Sequence, residues 1–350
     1  MNQSNSADYK NILIIQTAFA GDVILTLPLL EEIKFKFPDA KVSFLCIPGA
    51  ANILENNPFV NEVIVFDKRN SQKGIFAFYK FMISIRDMNF DLVISPHRSL
   101  RSTLLSYFSK AGQTISFDVS ALSFLYKTKV TYKSNVHEII RNLSLLKPIG
   151  IIKEDIIVPV LFPSEDDCET VDNILKKFKI GIDEKFITIA PGSVWITKAY
   201  PEEKYAKVIN ILKEFDVKIV IVGGEDDEGL GAMLKVLCKN TNVFNAAGKL
   251  TFLQSAELIR RSKVILTNDS APLHIANAMG TKVIALFGAT IPEFGFYPIG
   301  KNDVVFQTDG LKCRPCSIHG GNRCPIKTFL CMKSIEETDI AMEIMKSVIS

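Results

Sequence analysis

The chain has 350 residues, 47% of them hydrophobic and 23% charged, and a formal net charge of +3. That length accommodates two domains with ordinary cores, and that balance excludes a disordered chain. No segment approaches the roughly 20 uninterrupted apolar residues of a membrane-spanning helix, and no nucleic-acid partner is expected.

In chain order, the first ten residues (MNQSNSADYK) are polar and expected to fray. They lack a basic n-region, and Asp22 interrupts the apolar run after them. No signal peptide is therefore expected, and the protein is placed in the cytoplasm with reduced thiols. Residues 11–16 (NILIIQ) read as a buried strand. The loop Thr17-Ala18-Phe19-Ala20-Gly21-Asp22 leads into a helix over residues 23–37, with Leu25, Leu29, Leu30 and Ile33 at core spacing. Strands over 42–46 and 63–66, a helix over 75–88 and a strand over 92–95 follow. This βαβαβ order predicts a parallel sheet with helices on both faces. Between Arg86 and Lys147 nine basic residues face four acidic ones. The excess suits an anionic partner, or a solvated face.

A second series begins past Pro163. It holds a helix over 166–178, a strand over 186–190 ending in Pro191-Gly192, a helix over 205–215, and a strand over 218–222 ending in Gly223-Gly224. A last helix covers 336–348. The chain is expected to form two Rossmann-like α/β domains, residues 1–163 and 164–334, with a cleft between them as the active site. A terminal helix, 335–350, is expected to pack back on the N-terminal domain.

The stretch VILTNDSAPLHIANAMGTKVIALFG, residues 264–288, carries the most chemistry. An apolar strand, Val264-Ile265-Leu266, runs into the polar knot Asn268-Asp269-Ser270. A small-residue helix follows and stops at Gly280, before a second strand over 282–288. This is a βαβ unit whose loop sets an acid, a hydroxyl and His274 at the carboxyl end of a strand, where open α/β sheets bind ligands. The helix start suits a phosphate, because its N–H groups are unpaired and its partial charge is positive. A dinucleotide dehydrogenase fits poorly: the first strand–helix turn, TAFAGD, has no G-x-G-x-x-G. A G-x-x-x-x-G-K-[ST] loop is also missing from the sequence.

Four motifs in order carry a resemblance: ILIIQTAFAGDVILTLPLL (12–30), APGSVWITKAYP (190–201), IVGGEDDEG (221–229) and NDSAPLHIANAMGTKVIALFGATIPEFGFYP (268–298). The first and last are specific in combination; the middle two would be weak alone. Over residues 11–332 the chain resembles glycosyltransferase family 9, the ADP-heptose:lipopolysaccharide heptosyltransferases, and looks closest to the heptosyltransferase II type. The resemblance implies a GT-B fold with two Rossmann-like domains, parallel sheets facing a central cleft, the acceptor on the N-terminal domain and the sugar nucleotide on the C-terminal one. It implies inverting transfer of heptose from ADP-heptose to the lipopolysaccharide inner core, with no cofactor or metal required. The lipid-linked acceptor implies peripheral contact with the inner membrane surface.

By the same resemblance Asp22 occupies the catalytic-base position, and as a residue type it equally suits a helix cap. Lys198 falls where the family places a lysine against the donor phosphates, with Ser193 and Thr197 as further donors; a surface lysine is the plain alternative. Asp269, Ser270 and His274 match the D-[ST]-G-x-x-H stretch that holds donor, with Asn268 preceding it. The chain departs from the pattern at Ala271, where many members have Gly. His274 is alternatively a packed core histidine. Glu225 suits ribose hydroxyls or is a solvated acid, and Lys249 is placed near the nucleotide. Arg98 and Arg101, with Lys127, Lys129 and Arg141, suit acceptor phosphates and Kdo carboxylates. The loop Gly295-Phe296-Tyr297-Pro298 resembles one near the donor sugar.

Cys313, Cys316, Cys324 and Cys331 form a cluster spaced x2, x7, x6, while Cys46, Cys168 and Cys238 are scattered. The cluster leaves three readings open: a structural zinc site, packed thiols, or disulfides. Other functions to weigh are a family-9 transferase with a different sugar nucleotide or acceptor, a sugar-nucleotide epimerase on the same fold, and a nucleotide-binding scaffold.

Overall fold

A computed structural model describes residues 8–349. The polar start expected to fray lies, through residue 7, outside the described residues. The chain divides between Val160 and Leu161 into two compact units.

Unit 1 holds β1 (Asn11–Ile15), α1 (Ala20–Ile24), α2 (Leu27–Lys36), β2 (Lys41–Cys46), β3 (Glu62–Val65), α3 (Ile75–Asp87), β4 (Leu92–Ser95), α4 (Leu100–Phe108), β5 (Gln113–Phe117), β6 (Thr128–Val130) and α5 (Glu138–Leu143). Among the described residues its sheet has the order β3-β2-β1-β4-β5-β6, every pair parallel. Central strands read as near-continuous apolar runs because both faces are covered. Ile12, Leu13, Ile14 and Ile15 are accordingly all buried, as are Leu92, Val93 and Ile94. One face of the sheet packs Leu13, Ile15 and Val93 against Met82 and Ile85 of α3.

The helix expected over residues 23–37 is two helices. Pro28 stands in the first turn of α2, where its missing N–H costs nothing, but it could not continue α1. Thr26 marks the break, its hydroxyl donating to the Asp22 carbonyl at 2.8 Å.

Unit 2 holds α6 (Glu165–Lys177), β7 (Phe186–Ala190), α7 (Glu202–Leu212), β8 (Lys218–Ile221), α8 (Glu228–Leu237), β9 (Val243–Asn245), α9 (Phe252–Arg261), β10 (Val264–Asn268), α10 (Ala271–Ala278), β11 (Lys282–Phe287), β12 (Val304–Gln307), α11 (Leu330–Lys333) and α12 (Glu337–Ile349). Its sheet order is β12-β11-β10-β7-β8-β9, again parallel throughout the described residues. Counted from the first strand of each unit, the two sheets share one winding, 3-2-1-4-5-6.

The terminal helix, α12, packs in its own unit. Ile340, Ala341, Ile344 and Met345 form its apolar face and join Tyr205, Ile209 and Leu212 of α7 in one core cluster. Strands β5, β6, β9 and β12 were not expected from sequence. They are three to five residues long, and β6 and β12 are only half-buried.

Candidate active site

Each sheet reverses its winding at one place, between β1 and β4 in unit 1 and between β7 and β10 in unit 2. Loops leaving the carboxyl ends of two such strands diverge, and the crevice between them takes ligands. Several of the residues singled out from sequence lie there. Asp22 follows β1 and Arg98 follows β4; Ser193, Thr197 and Lys198 follow β7; Asp269 and Ser270 follow β10.

In unit 1, Asp22 lies in the first turn of α1, half-buried, with Oδ2 accepting the Phe19 N–H at 3.2 Å. The carboxylate is thus fixed by a capping bond made from the third helical position. Gln16 Nε2 donates to Thr26 Oγ1 at 3.2 Å and Asn142 Nδ2 to the Leu25 carbonyl at 3.1 Å, so α5 and β1 brace the α1–α2 turn.

His97, in the loop after β4, was missed by the sequence reading. Its Nδ1 lies 2.8 Å from Thr17 Oγ1 and 3.0 Å from Ser102 Oγ. Burial, then the nearby Lys68 and Arg98 charges, push its pKa down to about 4, so the ring is neutral at pH 7. Lys68 was missed as well. Its ammonium donates to the Thr17 carbonyl at 2.8 Å, and Arg101 Nη1 donates to the Lys68 carbonyl at 3.3 Å. Arg98 lies 4.4 Å from the Tyr132 ring centroid, and Arg141 lies 4.7 Å from the same centroid.

Two members of the expected anion-binding group are elsewhere engaged. Arg141 is 1% exposed, and its guanidinium donates to the carbonyls of Lys133, Ser134 and Val136 and to the Glu138 carboxylate. A buried guanidinium must satisfy its donors internally, and this one ties the 133–136 loop to α5. Lys127 donates to the carbonyls of Ala111 and Gly112, just ahead of the amino end of β5. Lys129 lies exposed on β6. Burial pushes the Glu138 carboxyl up to about 7 against the pull of Arg141, with Asp22 adding to the rise and Arg98 opposing it.

In unit 2 the centre is an ion pair. Lys198 Nζ lies 2.7 Å from Asp269 Oδ2, which also accepts from Thr290 Oγ1 at 2.6 Å. The two side chains are 14% and 7% exposed, so water screens the pair weakly. Ser270 opens α10, and among the described residues no side-chain bond caps that start; Pro272 brings no N–H and the Leu273 N–H donates to the Ser270 carbonyl at 3.1 Å, so the first-turn amide this start offers a ligand is that of Ala271. Ala271 is the first helical residue, and His274 is buried against Phe296, ring centroids 6.5 Å apart.

Asn268 differs from its expected role. Its Nδ2 donates to the Pro191 and Gly192 carbonyls at 2.8 and 3.3 Å, and its Oδ1 accepts from the Tyr200 N–H and the Tyr205 hydroxyl at 3.0 and 3.1 Å. Those four bonds use the full capacity of a primary amide. Asn268 therefore holds the loop after β7 against β10 instead of facing a ligand. Thr197 is buried and tied to Gly321: its Oγ1 accepts the Gly321 N–H at 2.7 Å, and its own N–H donates to the Gly321 carbonyl at 3.0 Å. Ser193 Oγ accepts the Trp195 N–H at 3.4 Å.

Glu225 is exposed in the turn after β8, and Lys249 is exposed with Nζ donating to the Asn245 carbonyl at 2.6 Å. The acid packed against the loop after β7 is instead Asp227. A Cβ on Gly192 would collide with the Asp227 carboxylate, so this close approach requires glycine. Asp227 Oδ2 accepts the Gly224 N–H at 3.0 Å, and burial pushes its carboxyl up.

The four clustered cysteines line one cavity of about 160 Å³ with Arg314 and Phe329. Among the described residues no group of three or more His, Cys, Asp or Glu is arranged to hold a metal ion, and all four thiols are free. Burial raises the Cys324 thiol, yet N–H bonds from Phe329, Ile326, Thr328 and Lys327 bring it below its ordinary value. This segment is wired to the ion pair from both ends. Arg314 donates to the Gly288 carbonyl at 2.6 Å and the Thr290 carbonyl at 2.8 Å, while Gly321 holds Thr197 beside Lys198.

A sequence model of glycosyltransferase family 9 (heptosyltransferase) matches residues 78–322, a span that leaves out Asp22. The chain is 29% identical over 312 residues to lipopolysaccharide heptosyltransferase 3 of Escherichia coli strain K12, covering 85% of this chain and 88% of that protein. It is 25% identical over 297 residues to lipooligosaccharide heptosyltransferase 2 of Haemophilus influenzae, covering 81% and 85% respectively. Its fold matches the glycosyl transferase family 9 structure from Veillonella parvula DSM 2008 with a TM-score of 0.86 at 21% identity, over 98% of both chains. It also matches the structure of E. coli ADP-heptose lipopolysaccharide heptosyltransferase II with a TM-score of 0.78 at 20% identity, over 97% of this chain and 98% of that one. Two Rossmann-like units with parallel six-stranded sheets are the GT-B architecture.

Proposed function

The chain belongs to glycosyltransferase family 9 (heptosyltransferase), and on that premise we propose that it moves heptose from ADP-heptose to a sugar hydroxyl of the lipopolysaccharide inner core, with inversion. The acceptor hydroxyl attacks the anomeric carbon on the face opposite the diphosphate. The bond from that carbon to the ADP oxygen breaks, its electron pair leaves with ADP, and the hydroxyl proton passes to the Asp22 carboxylate.

The observation that carries this reading is the Lys198–Asp269 pair at the β7/β10 switch point, braced by Thr290 and beside the uncapped start of α10. A sugar nucleotide presents an anionic diphosphate next to a polyol. Lys198 and the Ala271 amide at the start of α10 suit the first, and Lys198 meets the charge that grows on the leaving group. Asp269 suits the hydroxyls of the second. In unit 1, Lys68, Arg98 and Arg101 suit the phosphates and carboxylates of an inner-core acceptor. That acceptor is lipid-linked, so the enzyme works at the inner face of the cytoplasmic membrane. Among the described residues no helix is long and apolar enough to cross a membrane.

The test is a product assay with a core acceptor, offering ADP-heptose against UDP- and GDP-sugars. Acceptor-dependent ADP release from ADP-heptose is expected. Turnover of another sugar nucleotide with none of ADP-heptose would move the reading to a different donor within the family. Full activity in Asp22→Asn would remove Asp22 as the base.

A further inference from the structure

Isolated exposed hydrophobic residues are ordinary on a protein surface. The first turn of α3 is different. Ile75 is 87% exposed, Phe76 86% and Tyr79 54%. At spacings of one, three and four they lie on one side of the helix. The adjoining side is already used: Phe78, Phe81, Met82 and Ile85 pack into the unit 1 core, with Phe81 stacked on Phe66 at 5.0 Å. The exposed side is therefore a second apolar face, absent from the core that justifies the first.

Its surroundings are one-signed. Between Asp67 and Asp87 the sequence holds Lys68, Arg69, Lys73, Lys80 and Arg86 and no acid. Arg69, Lys73 and Lys80 are exposed around the apolar residues. The helix that carries the patch also meets the cations of the unit 1 switch point, on its core side. Arg101 lies 5.8 Å from the Phe78 ring centroid on the same helix and donates to the Lys68 carbonyl, and Lys68 donates to the carbonyl of Thr17 in the loop that carries Asp22.

We infer that the first turn of α3 is a docking surface for an anionic lipid bilayer, with Ile75, Phe76 and Tyr79 entering the interface and Arg69, Lys73 and Lys80 on the headgroups. An apolar tip ringed by cations matches the layering of such a surface, acyl chain beneath negative headgroup. Aromatic rings such as those of Phe76 and Tyr79 suit the boundary between the layers. The choice of a bilayer over a protein partner rests on the lipid-linked acceptor of the proposed function. Docking here would bring the Asp22 side of unit 1 to the membrane surface where that acceptor is displayed.

The experiment is flotation of the full-length protein with vesicles of equal parts phosphatidylethanolamine and phosphatidylglycerol, against vesicles of phosphatidylcholine alone. Wild type is expected to float with the anionic vesicles and much less with the neutral ones. The double variant Ile75→Ser/Phe76→Ser should lose about tenfold or more in partitioning, since most of the buried apolar area goes with it. Lys73→Glu/Lys80→Glu should lose binding at low salt and resemble wild type, itself weakened, at high salt. Phe35→Ser, which removes an equally exposed ring from α2, should float as wild type does. Thermal melts and gel filtration accompany each variant. Anionic-vesicle binding unchanged in Ile75→Ser/Phe76→Ser overturns the inference, as does absence of wild-type binding. So does a change of oligomeric state in that variant with vesicle binding intact, which would assign the face to a second copy. Transfer to a delipidated acceptor is measured separately. Its failure alongside intact vesicle binding would count against the proposed function and leave the docking surface standing.

Discussion

The two units wind their sheets identically, yet their switch points are built from opposite materials. At β1/β4 the side chains in contact are neutral: Thr17, Ser99, Ser102 and a histidine that burial keeps uncharged, with cations at the edge and Asp22 fixed by a backbone amide. At β7/β10 a buried cation and carboxylate face each other directly. Topology selects where a ligand can sit, and the electrostatics of the loops select which ligand. A neutral, hydroxyl-lined crevice with one carboxylate suits proton removal from an acceptor. A preset ion pair suits a substrate that brings both charge and hydroxyls.

The sharpest break of this contrast is Asp22→Asn. Transfer should fall about a thousandfold, the scale of losing a general base, while ADP binding measured by calorimetry is unchanged. A drop in ADP affinity of similar size would mean that the two units do not divide the labour. Next is Lys198→Ala, expected to lower kcat about a hundredfold, because it removes a charge aimed at the leaving group. Lys198→Arg should recover part of it. If KM alone moved, Lys198 would be a ground-state contact.

The third test uses pH. The His97 pKa is pushed down to about 4 from its ordinary 6.5. The unfolded chain takes up a proton below about 6.5 that folded unit 1 refuses until about 4. This contribution to stability is therefore complete above pH 6.5 and declines toward pH 4, by about 3 kcal/mol at the acid end. Urea midpoints measured across that range should show the decline, and His97→Gln should flatten it. The smallest effect expected is that of Thr290→Val. It removes one hydrogen bond from a buried carboxylate and should cost about 1–2 kcal/mol of stability, read by thermal melts, with a modest rise in donor KM.

Much of the fold was legible in the sequence, for a definite reason. β1, β4, β7, β10 and β11 are covered on both faces, so each is written as a mostly apolar run. The strands that escaped notice, such as β6 (TKV) and β9 (VFN), are short edges whose pairing is set by the neighbour strand. The loops after β7 and β10 were visible as motifs, and their contents less so. Asn268 looks like a ligand residue until its partners, Pro191, Gly192, Tyr200 and Tyr205, arrive from 63 to 77 positions away. His97, Lys68, Asp227 and Thr290 were missed on the same ground. His97 adjoins Arg98, and Asp227 and Thr290 lie inside the motifs over 221–229 and 268–298, but residue type alone does not set them apart there; the partners that do, Thr17 for His97 and Lys68, Gly192 for Asp227 and Asp269 for Thr290, come from other loops.

Tyr132 carries a consequence of its own. A carboxylate in its place would restrain Arg98 just as well, and would cancel its charge. An aromatic face attracts a guanidinium through its quadrupole and gives up no net charge in return. Arg98 is thereby held by a partner that leaves its full positive charge unspent. Orientation and charge, usually traded against each other in an ion pair, are kept together, and an incoming anion meets an arginine that is already aimed.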